Sequence, residues 1–246
     1  MLLRSDVIDD AEGIRPRQPA TRRPGQQRPW LPGGRDRVSV MGRTGSGKTH
    51  FACWLLSLSP FPVKPAYVID YKHDELIDQI PGREEVGLNT RRLPRPGGIY
   101  VFRPRPNQDE EVENLIWKIW ERGRSILYVD EGHMLPDKGA LQSVLTQGRS
   151  KGIAAIVLTQ RPSWVNRFVF SEADFYSVFH LNDKRDRSTI QSFVPADLAA
   201  PLPARHSWYY DVSRNSLFHM LPAPGRDDIL ARFDDRHPRR PKRGFI

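Results

Sequence analysis

Gly42-Arg43-Thr44-Gly45-Ser46-Gly47-Lys48-Thr49 follows the apolar run Arg37-Val38-Ser39-Val40-Met41 and opens a helical pattern from Lys48 to Leu58. The octapeptide satisfies G-x-x-x-x-G-K-[ST] in full, and a strand before it with a helix after it is the context that motif requires. Its glycines let the backbone curl so that successive N–H groups point inward at phosphate oxygens. The helix that begins there adds its positive N-terminal end. In such a loop the lysine, here Lys48, reaches the β- and γ-phosphates, and the hydroxyl, here Thr49, ligates Mg²⁺. Background composition produces the pattern in roughly one chain in a hundred of this length. The span from Gly42 to His50 is therefore the candidate nucleotide-binding segment, with ATP and Mg²⁺ as its ligands.

Moving outward, short apolar runs alternate with helical patterns. Ala66–Asp70 and Gly98–Phe102 read as strands, and Val112, Leu115, Ile116, Ile119 and Trp120 recur at the spacing of one helix face. Ser125–Asp130 is a nearly continuous apolar strand, as expected where helices cover both sheet faces. A helix is expected from about Lys138 to Arg149, then strands over Ile153–Leu158 and Phe175–Leu181. Trp208–Val212 and Ser216–Met220 form a closing hairpin around Ser213-Arg214-Asn215. This alternation predicts an α/β fold with a mostly parallel sheet. The chain divides into an extended or disordered Pro/Arg-rich arm (1–34), a nucleotide-binding domain (35–221) and a basic C-terminal tail (222–246).

Asp130-Glu131 ends the strand that starts at Ser125. An aspartate at such a strand end holds Mg²⁺ together with the loop hydroxyl, and a glutamate beside it can take a proton from an attacking water. That pairing argues for hydrolysis over transfer to a bound hydroxyl, since no acceptor-binding or lid residues of a kinase stand out. A solvated acidic turn before Gly132 is the competing reading. His133 either senses nucleotide or strand or serves as a local capping or packing residue, the latter being the preferred reading. Gln160, at the tip of the Ile153–Leu158 strand, either holds the γ-phosphate or its water, or simply turns the chain before Pro162.

Three features together resemble the FtsK/HerA superfamily of DNA-pumping P-loop ATPases, with its RecA-like fold. These are the Gly42–Thr49 loop, the Tyr128-Val129-Asp130-Glu131 strand end, and Gln147-Gly148-Arg149-Ser150-Lys151-Gly152-Ile153 leading into Thr159-Gln160-Arg161-Pro162. Asp70-Tyr71-Lys72 is similar to a further element of the group. The likeness spans about Arg35 to Leu181. It implies a homo-oligomeric ring, usually a hexamer, with ATP at subunit interfaces. In it Arg149 is a finger reaching the neighbour's site and Gln160 a γ-phosphate sensor. Without the resemblance, Arg149 is equally a C-terminal helix cation facing the macrodipole. The compact layout is similar to the genome-packaging ATPases of tailless, membrane-containing viruses, which implies capsid or membrane-vertex partners and a place in the host cytoplasm or the virion. Plasmid-transfer motors share the same motifs.

The composition agrees with such a partner. With 38% apolar residues and 18 glycines the chain can bury a core, which excludes wholesale disorder. One cysteine, Cys53, excludes an internal disulfide and reads as a buried thiol. No window approaches the ~18 apolar residues of a membrane span, and the N-terminus does not read as a secretory signal. The net charge of +9 favours an anionic partner, with duplex DNA first. Lys184, Arg185 and Arg187, and Arg239, Arg240, Lys242 and Arg243 of the tail, are candidate backbone contacts or plain solvated charges. A DNA-independent ATPase for virion assembly or secretion, and a nucleotide-gated scaffold without turnover, are the alternatives. No recognition helix for sequence-specific binding stands out.

Overall fold

The computed structural model describes residues 7–10, 13–16, 29–136 and 139–237. In chain order the elements are β1 (Val7–Asp10), β2 (Gly13–Pro16), β3 (Arg37–Met41), α1 (Lys48–Leu58), β4 (Pro65–Asp70), α2 (Glu75–Asp78), β5 (Glu84–Glu85), β6 (Gly98–Phe102) and α3 (Asp109–Arg122). They continue with β7 (Ile126–Asp130), α4 (Ala140–Lys151), β8 (Ala154–Thr159), α5 (Phe168–Ser171), β9 (Phe175–Val178), α6 (Lys184–Gln191), β10 (Ser207–Asp211), β11 (Ser216–Met220) and α7 (Arg226–Arg236).

Nine strands form one sheet in the order β11-β10-β9-β3-β8-β7-β4-β6-β5. Strands from β9 to β5 run parallel, and β10 reverses direction to make the antiparallel closing hairpin with β11. β4 and β8 are buried at every residue, which requires helices on both faces. On one face α3, α4, α5 and α6 cover the sheet through residues such as Leu115, Val144, Phe170 and Ile190. On the other, α1, α2 and α7 do so through Phe51, Trp54, Ile77 and Phe233. Cys53 lies fully buried in this second layer, and burial pushes its thiol up from the ordinary range. Among the described residues no helix is long and apolar enough to cross a membrane.

Three boundaries differ from the sequence reading. Residues 7–10 and 13–16 of the arm pair as a separate antiparallel two-stranded sheet; its arginines between 17 and 28 lie outside the described residues. The folded domain begins before residue 35, because the Trp30 carbonyl accepts a hydrogen bond from Tyr209 (2.8 Å) and the Arg214 guanidinium stacks 4.2 Å from the Trp30 ring. At the other end, the segment assigned to a basic tail forms α7. Ile229 and Phe233 are one turn apart and fully buried, and Phe233 packs on Phe61 with ring centres 5.4 Å apart. Its four Asp and three Arg hide this narrow apolar stripe in any composition-based reading. Arg239, Arg240, Lys242 and Arg243 lie outside the described residues.

Phe233→Ala removes a fully buried ring, and such truncations cost about 3–5 kcal/mol. Equilibrium urea unfolding is expected to show a loss of that order. A loss below about 0.5 kcal/mol, usual for an exposed position, would mean that α7 is not part of the folded unit.

Candidate active site

The strand order brings the motifs together. β3 delivers the loop, β8 beside it carries Thr159 and Gln160, β7 carries Asp130 and Glu131, and β4 carries Asp70 in register with Asp130. All these residues stand at carboxyl strand ends, where parallel sheets of this kind bind ligands.

The loop is held by its backbone. Gly42 N–H donates to the Thr159 carbonyl (3.2 Å) and Arg43 N–H to the His180 carbonyl (3.0 Å). A β-carbon at Gly42 would stand 2.6 Å from both Phe179 Cβ and Ser46 Oγ, so only glycine fits there. Gly47 turns into α1 with φ of 99°, in the left-handed region that a side chain disfavours. The Thr44 hydroxyl donates to Gln160 Oε1 at 2.5 Å, which ties the loop to the tip of β8.

Beside the loop lies a buried charge cluster. Lys48 is 4% exposed, Asp130 0% and Glu131 1%. Lys48 Nζ stands 3.5 Å from Glu131 Oε1, Lys72 forms an ion pair with the same carboxylate, and His133 Nδ1 lies 3.1 Å from Glu131 Oε2. Burial lowers the pKa of Lys48 and of Lys72. It also lowers that of His133, helped by the neighbouring lysines. Glu131 takes a left-handed backbone (φ 66°) without being glycine, a strained conformation that concentrates at functional sites.

Asp130 is different. Among the described residues neither of its oxygens has a hydrogen bond or an ion pair, and burial pushes its pKa up to about 6. A buried carboxylate with both oxygens open fits a hard cation that completes its shell from phosphate and water. Asp70 does other work: it accepts from the Lys72 and Asp74 amides and shapes the turn that brings Lys72 to Glu131.

Gln160, Lys48, Asp130 and Glu131 are thus brought to one site, and Thr49 and His50 line the cavity next to the loop. Arg149 is not brought there. It lies near the end of α4, which Gly152 stops with a left-handed turn (φ 73°). At the amino edge of the sheet it pairs with Asp36 (3.1 Å) and Asp174 (3.2 Å). Lys184 and Arg185 are exposed at the start of α6, whereas Arg187 Nη1 donates to the Leu181 and Asn182 carbonyls and braces that helix. The sequence reading did not place Lys72, Arg205 or Arg226 in this site. Lys72 had a signal in Asp70-Tyr71-Lys72; the two arginines, far along the chain from the loop, had none.

No family model matches the chain. It is 47% identical over 216 residues, 83% of this chain and 94% of the other, to the DNA packaging ATPase P9 of Enterobacteria phage PRD1. Among solved structures, the genome packaging NTPase B204 from Sulfolobus turreted icosahedral virus 2, in complex with AMPPCP, superposes with a TM-score of 0.58 at 20% identity. That match covers 78% of this chain and all of the other. VirB4 of Thermoanaerobacter pseudethanolicus superposes with a TM-score of 0.59 at 12% identity, over 77% and 89% of the two chains. The two structural matches speak for the fold.

The unpartnered Asp130 carboxylate has a cost that can be read. Its folded pKa of about 6 exceeds the 3.8 of a free carboxyl, so the penalty is absent below pH 3.8 and grows as pH rises through 6. A shift of this size corresponds to an upper bound of about 3 kcal/mol. Asp130→Asn is therefore expected to stabilise the nucleotide-free protein at pH 7 and to lose most of that advantage by pH 4. It should also abolish any rise in Tm that Mg²⁺ adds in the presence of ADP. A Tm difference from wild type that is the same at pH 4 and pH 7 would contradict this account.

Proposed function

The chain belongs to the viral DNA-packaging ATPases that include P9 of phage PRD1, within the FtsK/HerA-like P-loop ATPases, and from that membership we propose that it hydrolyses ATP to drive duplex DNA into a capsid. The observation that carries the catalytic half of this reading is Glu131, a buried carboxylate beside the loop lysine.

Lys48 and the amides at the start of α1 bind the β- and γ-phosphates, with His50 at the far end of the cradle; the Gly42 and Arg43 amides are engaged by the Thr159 and His180 carbonyls and hold the loop. Thr49 and Asp130 hold Mg²⁺, which when bound neutralises charge on the phosphate oxygens. Glu131 accepts the proton of the attacking water. Its ion pairs with Lys48 and Lys72 hold it beside the loop. Gln160, already bonded to Thr44, reads the γ-phosphate.

Arg149 belongs to the neighbouring site on this reading. Its place at the opposite edge of the sheet separates it from the loop of its own chain, so a finger role requires a second subunit. A closed ring supplies one to every site, and a hexamer is the form proposed. The pairs with Asp36 and Asp174 are partly exposed, and such pairs contribute little enough to exchange for a phosphate.

The DNA half of the reading draws support from a surface beside Gln160. Trp164 is 66% exposed with the Arg161 guanidinium 4.5 Å from its ring centre, and Lys184 and Arg185 flank the same cavity. Cations with an exposed aromatic suit a backbone grip without sequence reading. Arg187 is left out because it braces its own helix. Capsid or membrane-vertex proteins, and a site of action in the host cell or at virion assembly, follow from the same membership.

Steady-state ATP hydrolysis at low salt is expected to rise on addition of long duplex DNA, and Glu131→Gln to cut turnover by at least about 100-fold while nucleotide still binds. Hydrolysis indifferent to DNA would replace the DNA motor with a protein-assembly ATPase, and a confirmed ring without turnover would make it a nucleotide-gated scaffold. Mixing supplies a second test. Arg149→Ala and Glu131→Gln subunits, each inactive alone, should regain part of the activity when combined, because some interfaces then carry both intact groups. Failure to recover activity in confirmed mixed rings would remove Arg149 from the neighbour's site.

A further inference from the structure

The segment after β9 folds back over the phosphate loop. Arg205, in the turn before β10, takes a left-handed backbone (φ 62°). Its Cα, Cβ and Cγ lie 3.5–3.7 Å from where a Gly47 β-carbon would stand, so its stem rests on the loop. Among the described residues its guanidinium makes no hydrogen bond or ion pair, and it lines the cavity of about 440 Å³ beside the loop. Further on, His50 Nε2 donates to the Pro224 carbonyl at 2.6 Å, which ties this segment to α1 directly after the loop. Arg226, the first residue of α7, faces the same cavity. Its Nε and Nη2 are screened from solvent without a hydrogen bond, and Nη1 stands 3.5 Å from Glu75.

Cations therefore stand on two sides of the cradle, Lys48 and Lys72 from the sheet and Arg205 and Arg226 from the C-terminal segment. Among the described residues, both lysines pair with Glu131 and Arg226 stands by Glu75, with Asp74 also in the cavity lining, so Arg205 is the cation there without an ion pair. An unpaired guanidinium suits an anion, and it presents its N–H groups as a fork matched to phosphate oxygens. The seat of Arg205 on Gly47, in the turn that opens α1, sets that fork beside the candidate phosphate cradle.

We propose that Arg205, assisted by Arg226, is a phosphate-binding residue acting in cis, which grips the diphosphate of the nucleotide held by Gly42–His50 and closes the β10–β11 hairpin and α7 onto it. The proposal rests on the nucleotide-binding reading of that loop, and the test separates the two.

ADP affinity is measured by equilibrium titration on the full chain for wild type, Arg205→Ala, Arg205→Lys, Arg226→Ala and Lys48→Ala, with the nucleotide-free Tm recorded to confirm folding. Arg205→Ala is expected to weaken ADP at least tenfold at unchanged Tm, Arg205→Lys to recover part of the loss, and Arg226→Ala to lose less. Arg205→Ala binding ADP like wild type, while Lys48→Ala has lost it, would overturn the role of Arg205 and leave the loop reading intact. An Arg205→Ala Tm lowered in the nucleotide-free chain, with the ADP loss no larger than that destabilisation explains, would make its role structural and would also overturn it. A wild-type chain that binds no ADP sinks both readings together.

Discussion

Two carboxylates at the end of β7, withdrawn from water and faced by two lysines, are the constraint on which the rest of the structure depends. Removing charge from solvent is costly unless a partner stands close. Glu131 has its partners in Lys48 and Lys72, whereas Asp130 has none among the described residues. The fold tolerates the arrangement because seven parallel strands and two helical layers fix the positions of β3, β7 and β4. The lysines therefore arrive from separate elements and stay in place. On the proposed reading, a cation and phosphates would relieve the imbalance that the protein alone leaves.

Much of this was legible in the sequence because the decisive residues are contiguous. Lys48–Leu58, Gly98–Phe102 and Ser216–Met220 form the elements their patterns predict, with the same ends. Asp130 and Glu131 could be read because an apolar strand points at them. α7 escaped for a physical reason: two buried residues, Ile229 and Phe233, suffice to anchor an eleven-residue helix whose remaining surface is charged. α2, α5 and α6 are too short for a helical period to register. Within the site, the residues missed came from long-range folding. Arg205 reaches Gly47 through a turn whose sequence carries no nucleotide-binding pattern, and Lys72 reaches Glu131 because Asp70 bends the chain after β4.

The position of Arg149 follows from the same topology. α4 must return from the carboxyl edge of β7 to the amino edge of β8, so its last turn, which carries Arg149, lies away from the chain's own loop. Gly152 allows the tight exit, and Asp36 and Asp174, at the amino ends of β3 and β9, are the anions within reach. An arginine so placed either serves only its own domain or serves another subunit. An exposed guanidinium shared between two aspartates is a poor stabiliser. That argues against a purely structural purpose and agrees with an interface between copies.

β8 gives this geometry a mechanical consequence. It lies between the loop strand and the Asp130 strand, and its tip touches both the nucleotide side and the proposed DNA surface. Gln160 is bonded to Thr44, and three residues later Ser163 donates from its amide and its hydroxyl to the buried Asp186 of α6. Lys184 and Arg185 ride on that same helix. A γ-phosphate competing for Gln160 would act on one end of a short connector whose other end is clamped to α6 by two hydrogen bonds. Because Asp186 is itself buried, it cannot rotate into solvent to take up slack, so on the proposed reading displacement at Gln160 would be passed to the basic surface. The inserted strand thus makes the loop and α6 neighbours through fewer than ten residues of chain and side chain.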